Sequence, residues 1–342
     1  MGSKSVSLRK CASPIATCTI STRSRSDRHP GGRVYEQPVL ARSDGGPVIG
    51  LVLGSGAARG WSHIGVLDAL AAEGVKPDIV CGSSIGALVG AAYVSGKLEP
   101  LGNWVRSLDW QDVVAMLDIS LKGGLIRGDR VVQHCAQNFF VPTFSETSQP
   151  FACVATELST GREIWLRDGT MADAVRASIG LPGLFSPVLR GGRVLVDGGL
   201  VNPVPVSLAR AMGADLVIAV ELGSGVVGRT LRKNHASGFE LMPDNGWVRK
   251  LLATVGLGAD SAKLGDGSDM PSLADVVTTS INIMQMRIAR SRMAGEPADL
   301  LISPRVAHLN MMEFDRAEDA IKEGVAAVKR VKPLLHQLLG RE

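Results

Sequence analysis

Within this 342-residue chain, Asp78-Ile79-Val80-Cys81 reads as a short buried strand and Ala87 to Val94 as a small, apolar helix. Between them stands Gly82-Ser83-Ser84-Ile85-Gly86. A G-x-S-x-G that joins strand to helix forces its serine into a strained backbone conformation that presents the hydroxyl. Glycine is required two residues to either side, because strand and helix approach too closely there for a side chain. Ser84 is therefore the candidate nucleophile, at a helix start whose dipole favours developing negative charge. Gly and Ser also make ordinary turns, and it is the strand-turn-helix context that selects against chance.

The same grammar appears upstream. Val48-Ile49-Gly50-Leu51-Val52-Leu53 is a continuous apolar run ending in Gly54-Ser55-Gly56, the pattern of a buried strand meeting a tight loop. Ile64, Val66, Leu67, Leu70 and Ala71 then recur at helical spacing, and Gly74 closes the helix. Strand, helix, strand, helix implies right-handed crossovers and a parallel sheet covered on both faces. Further strands are expected at Phe151–Thr156, Glu163–Leu166, Val194–Asp197, Leu216–Glu221 and Leu300–Ser303. Further helices are expected near Gly128–Asn138, Met171–Ala177, Pro205–Met212, Leu273–Met293 and Phe314–Leu339. Residues 223–271, rich in Gly, Asp, Ser and Lys, read as a long surface excursion.

Charge separates a tail from this domain. Residues 1–47 hold eight basic and three acidic residues, a net +5 out of the chain's +4, which leaves 29 basic against 30 acidic in the remainder. The expectation is a basic, disordered extension over 1–47 and one catalytic domain over 48–342. The first 26 residues lack any acid and also match a transit peptide in composition. A near-neutral domain argues against nucleic acid, which asks for a basic face. The 45% hydrophobic content excludes wholesale disorder. Five cysteines with no C-x-x-C pair, and no histidine at finger spacing, point away from a disulfide framework or a zinc site. No metal or cofactor is expected. There is no signal-peptide h-region and no apolar run long enough to span a membrane, so the expected location is cytoplasmic.

Two further glycine-rich points fall at expected strand ends, where open α/β sheets build their sites. In Gly54-Ser55-Gly56-Ala57-Ala58-Arg59-Gly60, small residues expose N–H groups at a helix start, a cradle for an oxyanion. A dinucleotide fingerprint would need glycine where Arg59 stands, and a P-loop would need a terminal G-K-[ST]. Val194-Leu195-Val196-Asp197-Gly198-Gly199 sets a carboxylate at a strand terminus. Alone it is an ordinary Asp-Gly turn; beside the other two, Asp197 is a candidate base for Ser84.

These three elements, in this order, resemble the patatin-like phospholipase family. Further wording resembles its bacterial branch related to neuropathy target esterase: Trp61 to Leu67 after the glycine loop, Ala155 to Gly161, Ala177 to Pro187, and Asp197 to Pro203. The resemblance covers about Val48 to Arg330. It implies a three-layer α/β/α sandwich with a mainly parallel central sheet. It also implies hydrolysis of carboxylic esters in phospholipids or lysophospholipids by a Ser-Asp dyad through an acyl-enzyme. On that basis Ser84 is the nucleophile, Asp197 its general base, and Gly54, Ser55, Gly56, Ala57 and Arg59 form the oxyanion hole, with Gly82, Gly86, Gly198 and Gly199 as motif glycines. The family's loop often has Gly where Ser55 stands.

A dyad dispenses with histidine. His308, after an expected strand, is the only serious triad candidate; His235 and His336 read as solvated, and His63 as a buried structural residue. Asp197 would need partial desolvation to serve as a base at neutral pH. Arg59 has three readings: a brace on the loop, a donor to a phosphate head group, or a surface residue paired with a nearby acid. Pro182, Leu184, Phe185 and Pro187 are expected against an acyl chain, and Met284, Met286 and Ile288 mainly in the core. The expected partner is lipid, with peripheral membrane contact through the basic tail. No oligomeric state is read from the sequence. The competing function is a non-catalytic lipid- or partner-binding regulator that keeps the fold.

Overall fold

The computed structural model describes residues 45–116, 128–182, 185–224 and 273–341. The basic tail to residue 44, Leu184, His235 and nearly all of the 223–271 excursion lie outside the described residues.

The chain begins with β1 (Ile49–Leu53), a short 3-10 turn (Ala57–Trp61), α1 (Ser62–Ala72), β2 (Ile79–Ser83) and α2 (Ile85–Val94). Then come α3 (Leu98–Ser107), α4 (Trp110–Met116), α5 (Asp129–Asn138), β3 (Phe151–Glu157), β4 (Glu163–Leu166) and α6 (Met171–Ser178). A hairpin of β5 (Val188–Arg190) and β6 (Arg193–Asp197) leads to α7 (Val206–Ala211) and β7 (Leu216–Val220). The fold closes with α8 (Leu273–Gly295), β8 (Leu300–Ile302), a 3-10 turn (Phe314–Arg316) and α9 (Ala317–Leu338). Every expected element forms, with ends moved by a few residues. The α3 and α4 helices and the β5 strand were not anticipated, and the expected helix from Phe314 breaks into a 3-10 turn followed by α9.

The sheet has eight strands and is mainly parallel: β1 pairs in parallel with β2 and β7, β2 with β3, and β7 with β8. Because side chains alternate across a strand, Leu51 and Leu53 enter one core with α1, α2, α6 and α9, while Val52 enters another with α7 and α8. Both faces are dry, which is why β1 reads as an unbroken apolar run. The result is three layers, helix on sheet on helix.

The hairpin breaks the parallel order where it matters. Cys153 and Val154 are flanked by β2 and by β4, while Ala155 and Thr156 are flanked by β4 and by β6. Since β4 occupies one side throughout, β2 and β6 must share the other, meeting end to end along β3. The ladder passes from Ser83 opposite Val154 to Asp197 opposite Ala155. The last residue of β6 is thereby brought against the residue that follows β2.

Helices α1 and α9 cross at backbone contact. A Cβ on Gly65 would stand 1.9 Å from the Ile321 carbonyl oxygen, and one on Gly324 would stand 2.0 Å from that of Ser62. Gly65→Ala should therefore destabilise the fold by about 1–3 kcal/mol or more, as overpacking does. Gly295→Ala, with nothing within 4 Å of the added carbon, should change stability by no more than about 0.5 kcal/mol. Urea midpoints of the two variants test this, and equal midpoints would contradict the crossing geometry.

Candidate active site

Ser84 sits between β2 and α2 at φ 55° and ψ −125°. Only two non-glycine residues among those described have positive φ, Ser84 and Ala57. The turn is tight enough to need its glycines: a Cβ on Gly86 would meet the Leu53 carbonyl oxygen at 2.1 Å, and one on Gly82 would meet the Ala87 backbone at 2.6 Å. The Ser84 N–H donates to Ser178 Oγ at 3.0 Å, and that hydroxyl donates on to the Val154 carbonyl at 2.6 Å. The strained turn is thus anchored to both α6 and β3.

Asp197 arrives from β6 with every polar atom engaged. Its Oδ2 accepts the Ser84 hydroxyl at 2.6 Å, and its Oδ1 accepts the Gly199 N–H at 2.6 Å. Its backbone N–H donates to the Gly180 carbonyl at 3.0 Å, and its own carbonyl accepts from Thr156 Oγ1 at 2.7 Å. Gly198 lies flat on β3, where a Cβ would meet the Val154 carbonyl oxygen at 2.2 Å. The carboxylate is wholly buried. Burial raises its pKa from 3.8 to about 6, against the opposing pull of the hydrogen bonds from Ser84 and Gly199. The required desolvation is complete.

The glycine loop needs a correction. The Gly54 N–H donates to the Val220 carbonyl at 3.0 Å and the Ser55 N–H to the Pro203 carbonyl at 2.8 Å, so neither is free for an oxyanion. The Ala58 N–H is bonded to Met311, and the 3-10 turn commits that of Arg59. The N–H groups of Gly56 and Ala57 remain without a partner among the described residues. Ala57 is held at φ 50° and shares a cavity wall with Ser84. The reason is geometric: the first residues after β1 extend the sheet ladder, and the loop turns free only afterwards.

Arg59 resolves in favour of the brace. The side chain is buried, and its Nε donates to the Gly56 carbonyl at 3.2 Å and its Nη2 to Asn282 Oδ1 at 2.8 Å. His63 is also structural. It is fully buried, its Nε2 donates to the Gly54 carbonyl at 2.8 Å, and burial lowers its pKa to about 4, so the ring is neutral. His308 is exposed and bonds the Arg305 carbonyl, and among the described residues it makes no hydrogen bond to Ser84 or Asp197. His336 is not free in solvent as expected, because it pairs with Glu73 at 2.9 Å.

Beside Ser84 opens an apolar cleft, walled by Trp61, Leu88, Trp104, Leu181, Phe185 and Phe314 among others. Among the described residues, Ser84 is the only hydroxyl residue lining it. Phe185 contributes as expected of its loop, whereas Pro182 and Pro187 are exposed. Met286 is buried beside a separate, smaller cavity and Met284 is exposed, so neither lines the cleft. Trp104 and Phe314 were missed. They come from opposite ends of the domain, and nothing local separates them from core aromatics. Among the described residues, no three His, Cys, Asp or Glu side chains gather where a metal could be held, and no helix is long and apolar enough to cross a membrane.

Comparison with known proteins fits this geometry. Residues 51–210 match the family model described as patatin-like phospholipase. An uncharacterized NTE family protein of Mycobacterium tuberculosis is 30% identical over 328 residues, covering 83% of this chain and 91% of the relative. Patatin-like phospholipase domain-containing protein 6 of Mus musculus is 35% identical over 208 residues, 58% of this chain and 15% of that protein. VipD from Legionella pneumophila superposes with a TM-score of 0.44 at 14% identity, over 89% of this chain and 71% of VipD, which adds nothing to the fold described above. The chain belongs to the patatin-like phospholipase family, alongside the bacterial NTE family proteins.

Proposed function

We propose that the protein is a serine lipid acyl hydrolase that cleaves carboxylic esters of phospholipids or lysophospholipids with Ser84 and Asp197. The observation that carries this reading is the 2.6 Å hydrogen bond from Ser84 to a buried carboxylate, at the floor of an apolar cleft. An acyl chain lies along the cleft and sets its ester carbonyl over Ser84 Oγ. Asp197 Oδ2 takes the hydroxyl proton as Oγ attacks the carbonyl carbon. The oxygen that gains charge is received by the free N–H groups of Gly56 and Ala57. Collapse of the tetrahedral intermediate breaks the ester C–O bond. The proton passes from Asp197 to the departing alkoxide, and the lysolipid or glycerol-containing alcohol leaves. Water then gives a proton to Asp197 and attacks the acyl-enzyme, and Ser84 recovers its proton as the fatty acid departs.

Ser84→Ala and Asp197→Asn should each lower hydrolysis of p-nitrophenyl esters by about 10⁴-fold, while His308→Ala retains wild-type turnover. An equally dead His308→Ala would replace the dyad with a triad. Because the base must be ionised, kcat/KM should fall tenfold per pH unit below about 6 and level off above it. A flat profile between pH 5 and 7 would remove Asp197 from that role.

The same burial has a consequence for folding. A raised carboxyl pKa favours the folded state when protonated, and that contribution is lost as pH rises through about 6. Asp197→Asn should thus melt above wild type at pH 7.5, with the gap closing towards pH 4. A lower melting temperature for the variant at both pH values would contradict the desolvation argument.

A further inference from the structure

Helix α8 reaches both loops that flank Ser84. Its Asn282 accepts from Arg59 at 2.8 Å. Three residues on, Gln285 Nε2 lies over the Asp197 turn, 2.6 Å from where a Cβ on Gly199 would stand. Asn282, Gln285, Met286 and Ala289 share one stripe of the helix and line a second, small cavity with Ser55, Arg59 and Glu221. That cavity lies on the far side of the glycine loop from the apolar cleft, whose wall carries Ala57.

The peptide between Gly56 and Ala57 links the two sides. It is trans and planar, so its C=O and N–H point in opposite directions. Arg59 holds the Gly56 oxygen on the side of the second cavity, which turns the Ala57 N–H towards the cleft. A buried guanidinium must keep its acceptors, and this one has two hydrogen-bonded acceptors, Gly56 O and Asn282 Oδ1. The Glu221 carboxylate also acts on it electrostatically.

We propose that Asn282 is a positioning residue for the reaction assigned above: through Arg59 it fixes the peptide that presents the Ala57 N–H to the oxyanion. The inference rests on that functional reading. With Asn282 removed, the guanidinium loses its anchor on α8, its Nε bond to the Gly56 oxygen loosens, and Ala57 is freer to leave its strained conformation. The effect falls on the transition state, since the acyl cleft is untouched.

The test compares wild type, Asn282→Leu and Asn282→Asp on a p-nitrophenyl ester of a long-chain fatty acid, with melting temperatures measured alongside. Asn282→Leu should lose about 10²-fold in kcat, the scale of one oxyanion donor, with KM and the pH midpoint near 6 unchanged and the protein still folded, its melting temperature lowered only by the lost acceptor. Asn282→Asp, which keeps the acceptor, should return most of the activity. Wild-type kcat in Asn282→Leu would overturn the inference. So would a loss accompanied by a moved pH midpoint or a raised KM, or one that aspartate does not rescue, because those mark general disruption of the site. Absence of turnover in wild type itself would instead bring down the hydrolase reading, and the inference with it.

Discussion

The proposed chemistry hangs on one hydrogen bond made in a place without water, that from Ser84 to Asp197. A carboxylate in bulk solvent is too weak a base to take a proton from serine at useful rates. Full burial changes the comparison: it destabilises the charge, lifts the pKa to about 6, and leaves the serine hydroxyl and the Gly199 N–H as the donors to the carboxylate. The arrangement is a stability cost held in reserve, and the rest of the fold supplies the means of holding it. The handoff along β3 from β2 to β6 sets the two residues against one another without asking either strand to bend.

Strain is stored on the same spot. Ser84 and Ala57, the two described non-glycine residues with positive φ, line the same cleft. Neither conformation would persist unless surrounding contacts over-determined it. Ser178 and Val154 lock the first, and Arg59, Asn282 and Met311 lock the segment around the second. Glycines at 82, 86 and 198 let backbones come within distances that no side chain would tolerate. Rigidity here comes from close backbone approach, and the aromatic walls of the cleft are added around it.

Much of this was legible in the sequence because glycine and strand patterns report backbone demands directly. The runs ending at Gly54, Ser84 and Asp197 needed only local rules. The proposed oxyanion donors are blurred in the sequence for a physical reason: which N–H groups are free depends on where the ladder to Val220 stops and on a carbonyl of Pro203, both distant in sequence. The α3 helix carried its own signal, with Leu98, Leu101, Val105 and Leu108 at helical spacing, and was overlooked. Trp104 and Phe314 gave none, since an aromatic on a cavity wall and one in a core have the same local pattern. Asn282 was equally silent, as its meaning comes from a partner 223 positions away.

The claim at the centre is that a buried Asp197 activates Ser84, and the most direct measurement is the rate and position of fluorophosphonate labelling, read by peptide mass. The account predicts a single adduct on the peptide containing Ser84, formed far more slowly in Asp197→Asn. An adduct elsewhere, no adduct at all, or equal rates in the two proteins would contradict it.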